Sequence, residues 1–412
     1  MARGNWMRWL LAACMALLLA ACGGSGDSDD TPSGQAKTTL MVYLVASDLT
    51  DETADYLSDM EEARASKDVN VLIQIGGGDQ AGEVPDIDMQ KTRRYRLVPD
   101  PDDKGATWTF EALPESQQPP NVAMNAPDTL RDFLQWGARQ YPADRYAVVL
   151  SDHGGGPLGG FGVDHALGGG ETMSLAGMRT AFQQSGVKVD VLGFDACLMA
   201  TVEVASHLGP YANYLVASED VTFGWRWTGI LDELADKPAA SGAELGITMV
   251  RHTIGNADEV AEGFMAYSVV DLRRLDGVVS EVERIAGTLE NALRTDGLAA
   301  WWQMATARRE AQDFQSNIFS RDGETVDLQS WVHELAQRQL ISATQVAAFD
   351  AAYKAAVVYV DGRDDDVTGL SILFPQYSLP YPWFIDVYAE RVDGFSPPYL
   401  RMVQAYSAFA QG

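Results

Sequence analysis

"VDVLGFDACLMATVEVA" (189–205) decides the fold. An apolar run ends at Asp195, a lone thiol follows at Cys197, and a helical pattern opens at Leu198. A buried strand leading into a helix is the half-unit of a parallel sheet with helices on its faces. The same rhythm recurs outward from it. "TTLMVYLVA" (38–46), "VNVLIQI" (69–75), "RYAVVLS" (145–151) and "NYLVAS" (213–218) are further buried-strand runs. Helical patterns separate them: 48–66, opening on Asp48, then 127–141 and 174–185. "TRRYRLV" (92–98) and "TWTFEAL" (107–113) alternate like an edge hairpin. Beyond Gly224 the pattern turns mostly helical, at 241–254, 272–296, 298–312, 326–338 and 343–360. Two strand-like segments interrupt it, "FMAYSVV" (264–270) and "TGLSILFP" (368–375). The expected class is α/β with a mostly parallel central sheet. Residues 38–235 would form its core, and a largely helical region, 236–412, would complete or flank it.

The N-terminus stands apart. Arg3 and Arg8, an apolar run from Trp9 to Ala20 and small residues before Cys22 have the layout of an export signal. "LAAC" (19–22) has the form of a bacterial lipobox, which makes residues 1–21 a lipoprotein signal and Cys22 the lipidated residue; in an ordinary cleaved signal Cys22 would be incidental. The apolar run falls short of the roughly 20 residues that span a bilayer. Residues 22–37, rich in Gly, Ser and Asp, read as a flexible tether. The expected location is exported and membrane-anchored, periplasmic or at the cell surface. With 30 Lys and Arg against 58 Asp and Glu, the net charge of −28 argues against nucleic-acid partners and favours cationic ligands. Of three cysteines, Cys14 leaves with the signal and Cys22 lies in the tether, so the body keeps one thiol and no internal disulfide.

Two strand ends carry chemistry-bearing residues. "AVVLSDHGGG" (147–156) brings His153 to a carboxyl edge, and "VLGFDAC" (191–197) brings Cys197 to the next. In a parallel sheet, neighbouring strands would set both on one rim, where ligands sit. A thiolate is the attacking species in nucleophilic catalysis, and a nearby imidazole lowers the thiol pKa from about 8.5 and protonates the leaving amine. Gly154 offers an unobstructed amide for an oxyanion hole, with the Cys197 amide as second donor. Other readings remain: a lone cysteine also serves as a small core residue, and a histidine before glycines as a turn residue. "HGGG" also occurs in lipase-like hydrolases, but no serine here stands in a Gly-x-Ser-x-Gly frame. No His-x-x-x-His or Cys-x-x-Cys metal spacing occurs.

"DHGGG" followed by "DACLMAT" resembles the clostripain family of cysteine peptidases, with caspases, gingipains and legumains as wider relatives. "VASED" with "GW" (216–225), "YSVVDL" (267–272) and "GLSILFP" (369–375) are similar to its later segments, so the resemblance spans about 38–375. It implies a caspase-like three-layer sandwich and a dyad, His153 as proton carrier and Cys197 as nucleophile, with no required third member. It also implies cleavage after Arg or Lys, with Asp195 near the specificity pocket. A carboxylate there favours Arg where the contact is bidentate. Glu219 and Asp220 are further pocket candidates or solvated loop acids; Trp225 either walls the substrate's aliphatic stem or packs in the core. Some relatives need calcium. "DGRDDD" (361–366) is acidic enough but fits no EF-hand spacing, so no cofactor is required by this reading. The expected partners are protein or peptide substrates, the expected state a monomer. The competing readings are a non-catalytic binding lipoprotein of the same fold and a cysteine peptidase of different specificity.

Relatives of this kind are often cut in the segment after the histidine, at a basic residue. Residues 154–178 contain neither Lys nor Arg. Purified protein should therefore show no cut mapping inside 154–178. Two bands there on electrophoresis, absent from Cys197→Ala, would overturn this.

Overall fold

The computed structural model describes residues 35–255, 265–314, 325–362, 367–374 and 382–409. Cys22, the export signal, most of the tether and residues 363–366 of the acidic run lie outside them. The described residues form one compact unit. No described helix is long and apolar enough to cross a membrane.

The first strands and helices are β1 (Ala36–Val45), α1 (Thr50–Glu62), β2 (Val69–Gly76), the hairpin β3 (Arg93–Pro99) and β4 (Trp108–Ala112), α2 (Pro127–Gln140) and β5 (Ala143–Ser151). A short turn of helix, α3 (Gly156–Gly159), and a small hairpin, β6 (Phe161–Val163) and β7 (Thr172–Met173), follow. Then come α4 (Leu175–Ser185), β8 (Val189–Asp195), α5 (Val202–Leu208), β9 (Ala212–Ser218), α6 (Trp227–Asp236), α7 (Gly242–Gly255) and β10 (Ala266–Asp271). The remainder is α8 (Leu275–Asp296), α9 (Leu298–Glu310), β11 (Thr325–Asp327), α10 (Leu328–Gln337), α11 (Ala343–Ala356), β12 (Val357–Gly362), β13 (Ser371–Leu373), α12 (Pro382–Arg391) and α13 (Pro397–Phe409).

One nine-stranded sheet, in the order β12-β10-β9-β8-β5-β1-β2-β3-β4, organises the molecule. Its five central strands are all parallel, and an antiparallel pair closes each edge. Along β1, Met41, Tyr43 and Val45 enter one core while Leu40, Val42 and Leu44 enter the other. That is why the strand reads as a continuous apolar run: both faces are covered. The first face takes α2, α4, α5, α8 and the later helices; the second takes α1, α6 and α7.

Three expectations shift. The helix expected over 343–360 ends at Ala356, and "VVYVDG" becomes β12, because β-branched residues pair on the β10 edge. The helix expected from Leu198 starts at Val202, where the Thr201 hydroxyl accepts the Val204 N–H. "GLSILF" is extended as expected, but its strand β13 pairs with β11 outside the main sheet.

Buried carboxylates hold that segment. Thr368 donates its N–H and hydroxyl to Asp327, Gly369 its N–H to Glu219, and Leu373 its N–H to Glu203. Ser371 N–H reaches Ala200 O at 2.9 Å, directly after the thiol-bearing turn. Burial pushes Glu203 up to about 7 and Asp327 to about 6; Asp195 and Asp152 rise likewise to about 7 and about 6. Such groups prefer the neutral form when folded, so their stabilisation is full below about pH 4 and is lost as pH rises through 6 to 7. Glu233, held down to about 2 by Lys237, His252 and Arg251, works oppositely only in stronger acid. The melting temperature should thus be higher at pH 5 than at pH 8, by ~5 °C. Glu203→Gln should flatten part of that slope, which a change in overall charge repulsion would not explain. A midpoint that rises toward pH 8 would contradict the assignment.

Candidate active site

Strands β5 and β8 are hydrogen-bonded neighbours, with Ser151 opposite Asp195. That register carries His153 and Cys197 off the same carboxyl edge. Leu198, next in the chain, has φ +64°, a left-handed conformation costing a non-glycine residue roughly 1–2 kcal/mol. It is retained because Leu198 is buried with Ala266 and Phe314, and Cys197 and Val367 pack against that cluster. The sharp turn holds Cys197 at the strand end instead of inside a helix.

The histidine loop lies directly on this turn. A Cβ on Gly154 would come 2.2 Å from Cys197 O, so only glycine permits the approach. Neither Gly154 N–H nor Cys197 N–H donates to another backbone carbonyl among the described residues.

Thiol and imidazole are not hydrogen-bonded to each other. Cys197 Sγ instead accepts the Thr222 N–H at 3.4 Å and lies 3.9 Å from Thr222 O. Burial, with the charges of Asp195 and Asp220, pushes the thiol up to about 11, against the Thr222 N–H. No imidazole is among the groups that shift the thiol here; the backbone of Thr222 is its hydrogen-bond partner. His153 Nε2 is bonded to Asp48 Oδ1 at 2.8 Å. Hydrogen bonding to His153 lowers the Asp48 pKa. Asp48 was read from sequence only as the start of a helix. Its neighbour Ser47 is buried at φ +38°, with its hydroxyl 2.7 Å from Asp152 Oδ1 and 3.1 Å from Asp48 Oδ1.

The acids expected near the pocket divide. Asp195 is buried; Ser151 donates to its Oδ2 at 2.9 Å and the Trp225 N–H also bonds it. Its charge is felt by Tyr56, Tyr267 and the Cys197 thiol. Asp220 is partly exposed and close enough to raise the thiol. Glu219, by contrast, is fully buried and accepts the Gly369 N–H, so it anchors the chain rather than facing a substrate. Trp225 is buried too, its ring over Gly193 and its Nε1 donating to Tyr267. Core packing accounts for it. Among the described residues no cluster of three or more His, Cys, Asp or Glu is arranged to hold a metal ion.

Comparison with known proteins agrees with this architecture. The clostripain of Hathewaya histolytica is 23% identical over 303 residues, covering 62% of this chain and 57% of that protein. The chain therefore spans little more than half the length of that relative. A secreted C11 cysteine protease from Bacteroides thetaiotaomicron, solved with an irreversible peptide inhibitor, superposes with a TM-score of 0.64 at 17% identity, covering 87% of this chain and 99% of that one. An inactive zymogen C11 protease from Parabacteroides distasonis gives 0.61 at 19%, covering 87% and 99%. These likenesses establish a shared fold. Residues 42–368 match the profile of the clostripain family, peptidase group C11, so the chain belongs to the clostripain family of cysteine peptidases.

Proposed function

We propose that this protein is an exported, lipid-anchored cysteine endopeptidase that cleaves after Arg or Lys, with Cys197 as nucleophile and His153 as proton carrier. The observation that carries it is the seating of Gly154 against Cys197 at the ends of two paired strands. In the proposed cycle the Cys197 thiol proton passes to His153 and the thiolate attacks the scissile carbonyl. The Gly154 and Cys197 amides hold the oxyanion. As it collapses, His153 gives its proton to the departing amine and a thioester remains. Water attacks the thioester, losing a proton to His153, and the freed acid leaves with the thiolate regenerated. Substrate must first displace Thr222 from the sulfur.

Asp195 and Asp220 are the acids that support a basic preference. Anchoring through Cys22 rests on the lipobox alone, and release from membranes by Cys22→Ser tests it.

Fluorogenic Arg-, Lys-, Asn- and Asp-amide peptides should separate the readings. Arg and Lys substrates should turn over, and Cys197→Ala should abolish turnover. No turnover with any peptide favours the binding-protein reading, and Asn or Asp preference removes the basic pocket.

Asp195 gives a second test. Burial raises its pKa to about 7, so it is partly neutral near pH 7, and a bound guanidinium needs it ionised. KM for the Arg substrate should fall as pH rises from 6 to 8. Asp195→Asn should remove that dependence and raise KM by about tenfold or more.

A further inference from the structure

Asp48 stands immediately past the carboxyl end of β1, the strand next to β5 on the side away from β8. The rim therefore brings together three loops, carrying Asp48, His153 and Cys197. The bond from Asp48 Oδ1 to His153 Nε2 spans 105 residues. We propose that Asp48 is a positioning residue for the peptidase reaction: it holds His153 by Nε2, so that Nδ1 serves the thiol, and stabilises the imidazolium that forms when Cys197 gives up its proton. The proposal rests on the dyad reading above and adds a member to it.

Several observations exclude a merely local role for this carboxylate. The N-cap of α1 is Leu49, and no side chain caps that helix, so Asp48 is not there to start it. Among the described residues its ion-pair partners are His153 at 2.8 Å and His165 at 4.0 Å, with no Lys or Arg. Its backbone is set by a device a solvated loop acid would not need. Ser47 is buried in a left-handed conformation, its carbonyl tied to the Asp79 N–H at 2.7 Å. The Ser47 hydroxyl has one hydrogen and lies between Asp48 and Asp152, which itself is fixed by the Val163 N–H. The loop is thus gripped from both sides and aims Asp48 at the ring. A strained backbone retained beside a reactive group is the pattern expected of a functional constraint.

The chemistry asks for such a partner. A histidine that accepts a thiol proton through one nitrogen must donate through the other, and the acceptor of that second bond fixes tautomer and orientation. A carboxylate also favours the protonated ring. The titratable groups around this cluster are Asp152, at the strand end of His153 and within reach of its charge, and His165 of the β6–β7 hairpin, 4.0 Å from Asp48; around Cys197 they are Asp195 of β8 and Asp220 beyond β9.

The test compares full-length protein with Asp48→Asn, Asp48→Ala and Asp48→Glu, with Cys197→Ala as blank. Turnover of the Arg substrate is followed across pH 5–10, alongside iodoacetamide alkylation of Cys197 read by peptide mass spectrometry. In Asp48→Asn, kcat should fall about tenfold with KM changed less than about twofold, since proton transfer is impaired and binding is not. The acidic limb of the profile, below which His153 is already protonated and cannot take the thiol proton, should move down by about half a unit, because the carboxylate no longer favours the charged ring. Alkylation near pH 7 should slow in parallel. Asp48→Glu should recover part of both, which a packing role would not predict. Melting curves of the isosteric Asn variant guard against a folding defect. If kcat stays within twofold and the acidic limb does not move, the positioning role is wrong while the peptidase reading stands. If no variant and no wild-type protein turns over, the peptidase reading fails. The alkylation profile then decides alone, supporting the Asp48–His153–Cys197 coupling if it shifts in Asp48→Asn and overturning it if it does not.

Discussion

The pairing of β5 with β8 is the constraint on which the rest depends. Parallel neighbours end at the same rim, so their last residues are juxtaposed by hydrogen-bond register and not by side-chain fit. The close seating of Gly154 on Cys197 then fixes the two loops against each other. Everything else at the rim is adjustment around that contact. The left-handed turn at Leu198 keeps the thiol at the edge, and the peptide of Thr222 covers it. In this arrangement the sulfur meets the Thr222 N–H and the imidazole meets Asp48.

Acid residues build the interior as much as they decorate the surface. Glu203, Glu219 and Asp327 act as acceptors for one extended stretch, 368–374, whose backbone would otherwise be stranded in an apolar layer. Tyr353 and Arg308 complete the set, through Leu370 N–H and Phe374 O. A carboxyl group costs less to bury neutral than charged, which is consistent with the upward shifts.

The central strands, the edge hairpin and the His153–Cys197 juxtaposition were legible because each depends on local patterning plus one rule about parallel sheets. Asp48 was not read as a partner of His153, since nothing in "VASDLT" distinguishes a ring-facing carboxylate from a helix opener. The signal was present all the same: β1 is a buried parallel strand, and the reasoning that singled out its neighbours' ends applies equally to its own. The roles of Glu219 and Trp225 stayed open in the sequence for a different reason. Both follow a strand near the thiol in sequence, but burial, which decides their roles, comes from residues 40 to 150 positions away, such as Tyr267 and Gly369. The boundary of α11 failed because helix propensity was overruled by an open sheet edge.

The span of those contacts bears on the order in which the molecule is completed. Glu219 meets Gly369 across 150 residues, and Glu203 meets Leu373 across 170. Contacts so distant in sequence close late, and a chain made or exported from its N-terminus presents Cys197 long before it presents its clamp. Until residues 368–374 arrive, the turn that carries the thiol lacks the Ser371 bond to Ala200, and Glu219 lacks the Gly369 N–H. His153 and Cys197 thus enter the chain well before the last of the contacts that fix the turn between them and the clamp.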